Sequence, residues 1–214
     1  MSKAWRKTIE QKVKKYLSEY PATHDFYHAL RVKNYAFKIA NKMEYDEDIL
    51  FAAAMLHDIG YKGNEIKSRD HHIFSSKIAN EWLKETNFPP RKIPDVLGVI
   101  RLHDNFSWGH DHEPTSHVET KIIQDADRID AIGAIGIVRL AYFFGERGWP
   151  IYSPARIPQT RRVFLDHSLL DQFERSALKI WPNLNFSKSK KMTQKRYQFL
   201  QKFCQELKGE IRQQ

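Results

Sequence analysis

The chain has 214 residues, 41% hydrophobic, 13% aromatic and 29% charged, which excludes a disordered polymer and a multi-domain machine and predicts one generous globular domain. One cysteine, Cys204, excludes an internal disulfide, and uncharged apolar runs such as Ala131 to Val138 fall far short of the roughly 20 residues that span a bilayer. With MSKAWRK lacking an apolar leader, a cytoplasmic, non-membrane protein is expected, and a net charge of +9 and ten histidines stand out.

Apolar residues recur at helical rather than alternating spacing, so the chain reads as all-α. After Pro21, Val32, Tyr35, Ala36, Ile39, Ala40 and Met43 form one amphipathic stripe, and His28 lies four residues before Val32 on the same face. Asp46 and Asp48 are caps for a helix that is apolar all round from Ile49 to Leu56 and ends in His57-Asp58 before Gly60. Asp70 can cap a helix with Phe74, Ile78, Ala79 and Trp82, and Val96, Leu97 and Ile100 mark another running into His103-Asp104. Asn105 to His117 reads as a polar loop, and His110-Asp111-His112 within it as loop rather than ligand set.

From Val118 a long stripe runs through Ile122, Ala126, Ile129, Gly133, Gly136, Leu140 and Phe144, with the two glycines suited to close helix packing. Pro150, Pro154 and Pro158 interrupt it, after which Leu169 to Trp181 and Thr193 to Ile211 read as helices covering the bundle. The expected organisation is a single domain, with a core of about residues 20–145 and a helical cover of about 150–214. Residues 150–214 hold 13 Lys/Arg against 5 Asp/Glu, whereas residues 1–149 hold 22 against 21. That tail is either a collar for polyanions or a solvated helix face plus a loop at Ser187 to Lys191.

Asp127 and Asp130 sit i, i+3 on a small, apolar helix face, where an isolated carboxylate would cost several kcal/mol, of the order of a few. A metal or an arginine such as Arg31 or Arg128 must meet them. His57-Asp58 ends an apolar helix, and His28 lies on an apolar face; either alone is weak. Three helices each placing His or Asp at a buried position favour a metal site of imidazole and carboxylate.

The contexts THDFYHALRV, AAAMLHDIG and IIQDADRIDAIGAIGIVR resemble the HD-domain metal-dependent phosphohydrolases, in particular a bacterial group of small HD proteins that includes nucleotide pyrophosphohydrolases. The similarity runs over nearly the whole chain. It implies His28, His57, Asp58 and Asp127 as ligands to one divalent ion, with Asp125 and Asp130 as neighbours. Manganese is the first choice, ahead of Mg, Ni, Fe, Co or Zn. His72 and His103 fall where larger HD families place further histidines, which in binuclear members bind a second ion; with Asp130 they are candidates for phosphate contact or proton transfer, and a second metal is the alternative for the two histidines. Arg31, Lys62 and Arg128 are candidate phosphate binders, and His24 and Asp25, one turn before His28, are candidates to orient it.

Such an ion activates water and grips a phosphate oxygen, so hydrolysis of a (deoxy)nucleoside triphosphate to monophosphate and pyrophosphate is the leading expectation. Competing readings are a phosphomonoesterase or phosphodiesterase, a nucleotide-binding regulatory module without turnover, and nucleic-acid binding through the basic tail. The last lacks a docking motif. Either a monomer or a homodimer is compatible with the sequence.

Overall fold

A computed structural model describes residues 4–18, 23–61, 70–104, 117–153 and 168–212. These residues are helical with no strand among them, an all-α fold. No helix among them is long and apolar enough to cross a membrane. They divide into two compact units, Met1–Asp127 and Arg128–Gln214.

In the first unit the sequence reading starts at Pro21, and the structure adds α1 (Ala4–Tyr16) before it. Trp5, Ile9 and Val13, spaced by four, are its buried residues, and the Trp5 ring meets Phe51 and Phe88 edge-on. α2 (Phe26–Ala40) starts at Asp25, whose carboxylate accepts the His28 backbone N–H. α3 (Glu47–Leu56) is the central helix: every residue from Ile49 to Leu56 is buried, and it packs against α1, α2 and α5. Asp46 caps it by accepting the Asp48 and Ile49 N–H groups, satisfying two donors that a helix start leaves open. Asp48 is therefore in the first turn rather than at the cap.

A single 3₁₀ turn, Ile59–Tyr61, follows His57-Asp58 and lies against α4 (His71–Lys84). Gly60 is required there. A Cβ on it would fall 2.3 Å from the His71 carbonyl oxygen and 2.4 Å from the Ser75 nitrogen, while its own N–H donates to Ser75 Oγ at 2.8 Å. α4 buries His71, Ser75, Ser76, Ala79 and Leu83, so of the expected Phe74, Ile78, Ala79, Trp82 stripe Ala79 is buried and Phe74 exposed, and the inner face is rotated toward His71 and Ser75. α5 (Ile93–Leu102) ends at His103, and α6 (Val118–Asp130) follows, with the boundary between the units inside it.

In the second unit the long stripe is split. Ile132 is extended and Gly133 has φ of +79°, so α6 stops and α7 (Gly133–Gly145) begins anew. The glycines serve this break: a Cβ on Gly136 would fall 2.2 Å from the Ala131 carbonyl, where the sequence suggested helix packing within one rod. Leu169 to Ile180 is helical through α8 (Leu169–Gln172), a π turn at Phe173–Ala177 and α9 (Leu178–Ile180). α10 (Ser187–Arg212) absorbs the expected loop at Ser187 to Lys191 as its first turns, with Ser189 buried. The whole +9 belongs to this unit's sequence: residues 128–214 hold 16 Lys/Arg and 7 Asp/Glu, and residues 1–127 hold 19 of each.

Candidate metal centre

The site lies in the first unit and is built from helix ends. His57 is the C-cap of α3 and His103 the C-cap of α5, positions where backbone carbonyls lack helical partners. Each imidazole uses the carbonyl three residues back: His57 Nδ1 lies 2.9 Å from Ala54 O, and His103 Nδ1 lies 2.6 Å from Ile100 O. A carbonyl can only accept, so both Nδ1 atoms carry a proton; a neutral His57 then presents a bare Nε2 lone pair, whereas His103 Nε2 carries a second proton when it donates to Asp58 Oδ1 at 3.1 Å. His28, in the first turn of α2 and 1% exposed, points its Nε2 to the same place.

Four donors converge there, from His28, His57, Asp58 and Asp127. His28 Nε2 is 3.3 Å from His57 Nε2, 3.2 Å from Asp58 Oδ2 and 3.5 Å from Asp127 Oδ1. His57 Nε2 is 3.3 Å from Asp58 Oδ2 and 3.9 Å from Asp127 Oδ1. Donors bound at about 2.1 Å stand about 3.0 Å apart in an octahedron and about 3.4 Å apart in a tetrahedron, so the set fits a first-row divalent ion. With neutral imidazoles, lone pairs facing each other and two carboxylates are a repulsive arrangement, and a cation resolves it.

The other Asp58 oxygen faces a second pair. Oδ1 lies 3.1 Å from His103 Nε2 and 3.3 Å from His71 Nε2, and those two nitrogens are 3.3 Å apart. Burial, the largest influence, pushes the Asp58 carboxyl up, but His57 and hydrogen bonds from His103, His28 and His57 overcome it and hold Asp58 well below the usual carboxylate range. His71 and His103 are pulled down by burial, yet the hydrogen bond to Asp58 and its charge leave both raised.

The remaining expected residues separate. His24 lies 3.9 Å from Asp58 Oδ2 and stacks on Tyr61. Asp25 holds the His28 main chain, as helix cap. His72 is only half-buried and groups with His71 and Asp104; its neighbour His71, 1% exposed, takes the inner place. The signal for His71 was available, because it shares the i, i+4, i+8, i+12 face with Ser75, Ala79 and Leu83, all buried. Asp104, whose Oδ2 is 3.8 Å from His71 Nδ1, was also missed as a partner.

Asp130 and Arg128 are outside the converging groups. The fully buried Asp130 carboxylate accepts from Arg139 at 2.8 Å, an arginine the sequence reading does not name, and that contact gives a proton-transfer role no support. Arg128 is buried and donates Nη1–H to the Asn183 carbonyl at 3.0 Å. Asp125 is buried and is not among the grouped donors. Arg31 is half-buried on α2. Lys62, the His110-Asp111-His112 run and Pro154 and Pro158 lie outside the described residues.

Comparison with known proteins supplies the family. The HD domain family model matches residues 25–132, from the cap of α2 to the break after α6. YpgQ of Bacillus subtilis is 26% identical over 199 residues, covering 93% of this chain and 90% of that protein. Its crystal structure in complex with ADP superposes with a TM-score of 0.73 at 25% identity, covering 97% of this chain and 95% of that one. An HD-superfamily hydrolase of Bacillus thuringiensis gives 0.69 at 26%, over 98% and 97% of the two chains. A Lactobacillus plantarum protein shares the fold over the full length of both chains, with a TM-score of 0.81 at 22% identity. Since the family model spans half of the sequence and takes in all four converging donors, the chain belongs to the HD domain family of metal-dependent phosphohydrolases.

Proposed function

We propose that the protein hydrolyses (deoxy)nucleoside triphosphates to the monophosphate and pyrophosphate, using one divalent ion, manganese ahead of Mg, Ni, Fe, Co or Zn. The observation that carries the reading is the convergence of His28, His57, Asp58 and Asp127 within bonding geometry of one cation. Bound there, the ion supplies an activated water and a positive charge at the phosphoryl oxygens. The chain's own part is orientation. His57, locked by the Ala54 carbonyl, and His28 offer neutral Nε2 atoms, while Asp58 and Asp127 offset the ion's charge. His71 and His103, on the far oxygen of Asp58, are placed to donate Nε2–H to a phosphate oxygen, and Arg31 is the remaining described candidate for a charged phosphate contact. The ADP in the YpgQ complex supports a nucleotide as ligand.

That complex fits a nucleotide-binding module equally, so the test must read products. Protein loaded with Mn, Mg, Co or Ni is incubated with the ribo- and deoxyribonucleoside triphosphates, and products are resolved by anion exchange. Monophosphate with pyrophosphate is expected. Orthophosphate alone would move the cleaved bond, and tight binding without product under every metal would replace the enzyme with a regulatory module.

A further inference from the structure

Asp58 is enclosed by a closed circuit of aromatic rings. His24 stacks on Tyr61 with centroids 3.9 Å apart and planes 14° from parallel, and Tyr61 stacks on His71 at 4.1 Å and 18°. His71 meets His103 at 5.2 Å, and His103 meets His57 at 5.1 Å. His57 meets His28 at 5.3 Å, and His28 returns to His24 at 5.8 Å. Each of the five imidazoles has its Nε2 between 3.1 and 3.9 Å from an Asp58 oxygen. Tyr61 is the one member of the circuit that is not a histidine.

Its place is fixed by the backbone. Tyr61 N donates to the Asp58 carbonyl, and the preceding Gly60 lets the turn press onto the first turn of α4. The phenol ring is thus delivered between His24, which precedes α2, and His71, which opens α4. His57 and His103 have carbonyls to set their planes. His24 and His71 each stack on the Tyr61 ring, an arrangement that favours parallel, offset planes, and Asp104 lies 3.8 Å from His71 Nδ1 besides.

We infer that Tyr61 is a positioning residue for the proposed reaction: its ring holds His24 against one oxygen of Asp58 and His71 against the other. This rests on the function proposed above. Without the ring, both imidazoles lose the face that orients them, while His57 keeps the Ala54 carbonyl and His28, Asp58 and Asp127 keep their places on the helices and helix ends that carry them. The four-donor set therefore still binds its ion, and the loss falls on turnover.

The test compares wild type, Tyr61→Leu and Tyr61→Phe. Metal stoichiometry is expected to be equal in all three. With the same triphosphate panel, Tyr61→Leu should lower kcat by about tenfold or more at little-changed KM, the scale of losing an outer support at a metal site, and Tyr61→Phe should restore it. An independent reading comes from the imidazole proton shifts of His24 and His71 in Zn²⁺-loaded protein. Ring-current upfield shifts should be present in wild type and Tyr61→Phe and absent in Tyr61→Leu. Full turnover in Tyr61→Leu, or histidine shifts that do not move, would overturn the inference. If wild type turns over nothing, the proposed function fails on its own, and the shifts alone still decide whether Tyr61 positions the two rings. Should Tyr61→Leu unfold, Tyr61→Met takes its place in every comparison.

Discussion

Gly60 lets one substitution measure how tightly the metal-site turn is pressed against α4. In Gly60→Ala the new carbon would sit 2.3 Å from His71 O and 2.4 Å from Ser75 N, both backbone atoms that cannot rotate aside. Ordinary non-bonded separations are roughly 3.5 Å, so turn and helix would have to part by about 1 Å. Overpacking of this kind costs about 1–3 kcal/mol. Stretching the Gly60 N–H to Ser75 Oγ bond adds about 1 kcal/mol. The sum is a loss of about 2–4 kcal/mol. Gly98, inside α5, is the matched control: a Cβ there meets nothing within 4 Å, so Gly98→Ala should gain about 0.5–1 kcal/mol from helix propensity. Equilibrium urea unfolding of metal-free protein reads both. A Gly60→Ala protein within about 0.5 kcal/mol of wild type, below the usual size of a buried steric change, would refute the close approach, as would a Gly98→Ala protein equally destabilised.

Asp127→Ala should cut metal affinity by well over about tenfold, since it removes a donor and its charge from the four-donor set, while leaving the fold intact; elemental analysis after dialysis, with circular dichroism as control, checks it. Lys92→Met should cost about 1 kcal/mol, because Lys92 Nζ bonds Asp48 at 2.8 Å and Asp46 at 2.9 Å in a partly exposed network. The sign of its pH dependence follows from the pair. Burial pushes Asp46 and Asp48 up, but Lys92 and their other partners leave both below the ordinary 3.8, so this stability is present above 3.8 and lost as pH falls through their folded values. The variant's deficit should shrink in acid, and a deficit constant down to about pH 2 would contradict the linkage.

How much was legible depended on whether chemistry coincided with period. α3 was readable because eight successive apolar residues leave no other place for it than the centre, and its end delivered His57 and Asp58. His28 and Asp127 were readable as polar groups on apolar faces. His71 was not, because the large side chains Phe74, Ile78 and Trp82 drew the expected face to one side of Ala79, whereas the small polar Ser75 marks the side that packs. The break after Asp130 was hidden for a related reason: the apolar stripe continues in register across Ile132 and Gly133, and it is backbone conformation, extended at Ile132 and of positive φ at Gly133, that separates two helices from one. Asp130 and Asp127 then part company, one to Arg139 and the other to histidines. Spacing alone cannot express that difference.

Asp58 is where the site's electrostatics can be separated from its metal chemistry. Its carboxyl is depressed in the fold, so its contribution is present above the ordinary aspartate value of 3.8 and is lost as pH falls through its folded value. His71 and His103 are raised, so theirs is present below 6.5 and lost as pH rises through their folded values. Metal-free protein therefore draws stability from this cluster in the acidic window between those limits. Asp58→Asn removes the anion that raises both imidazoles and leaves burial, which lowers them. The variant should lose up to about 3–5 kcal/mol in that window, the scale of breaking a buried ion pair, and much less once the histidines are neutral. A divalent ion reverses the slope, because it needs the bare Nε2 atoms that protons occupy. The gap between metal-loaded and metal-free wild type should thus widen as pH rises, since metal binding releases protons from its ligands. Thermal unfolding across pH, with and without Mn²⁺, reads both slopes; metal-free curves of wild type and Asp58→Asn that run parallel would show that the imidazoles do not answer to Asp58.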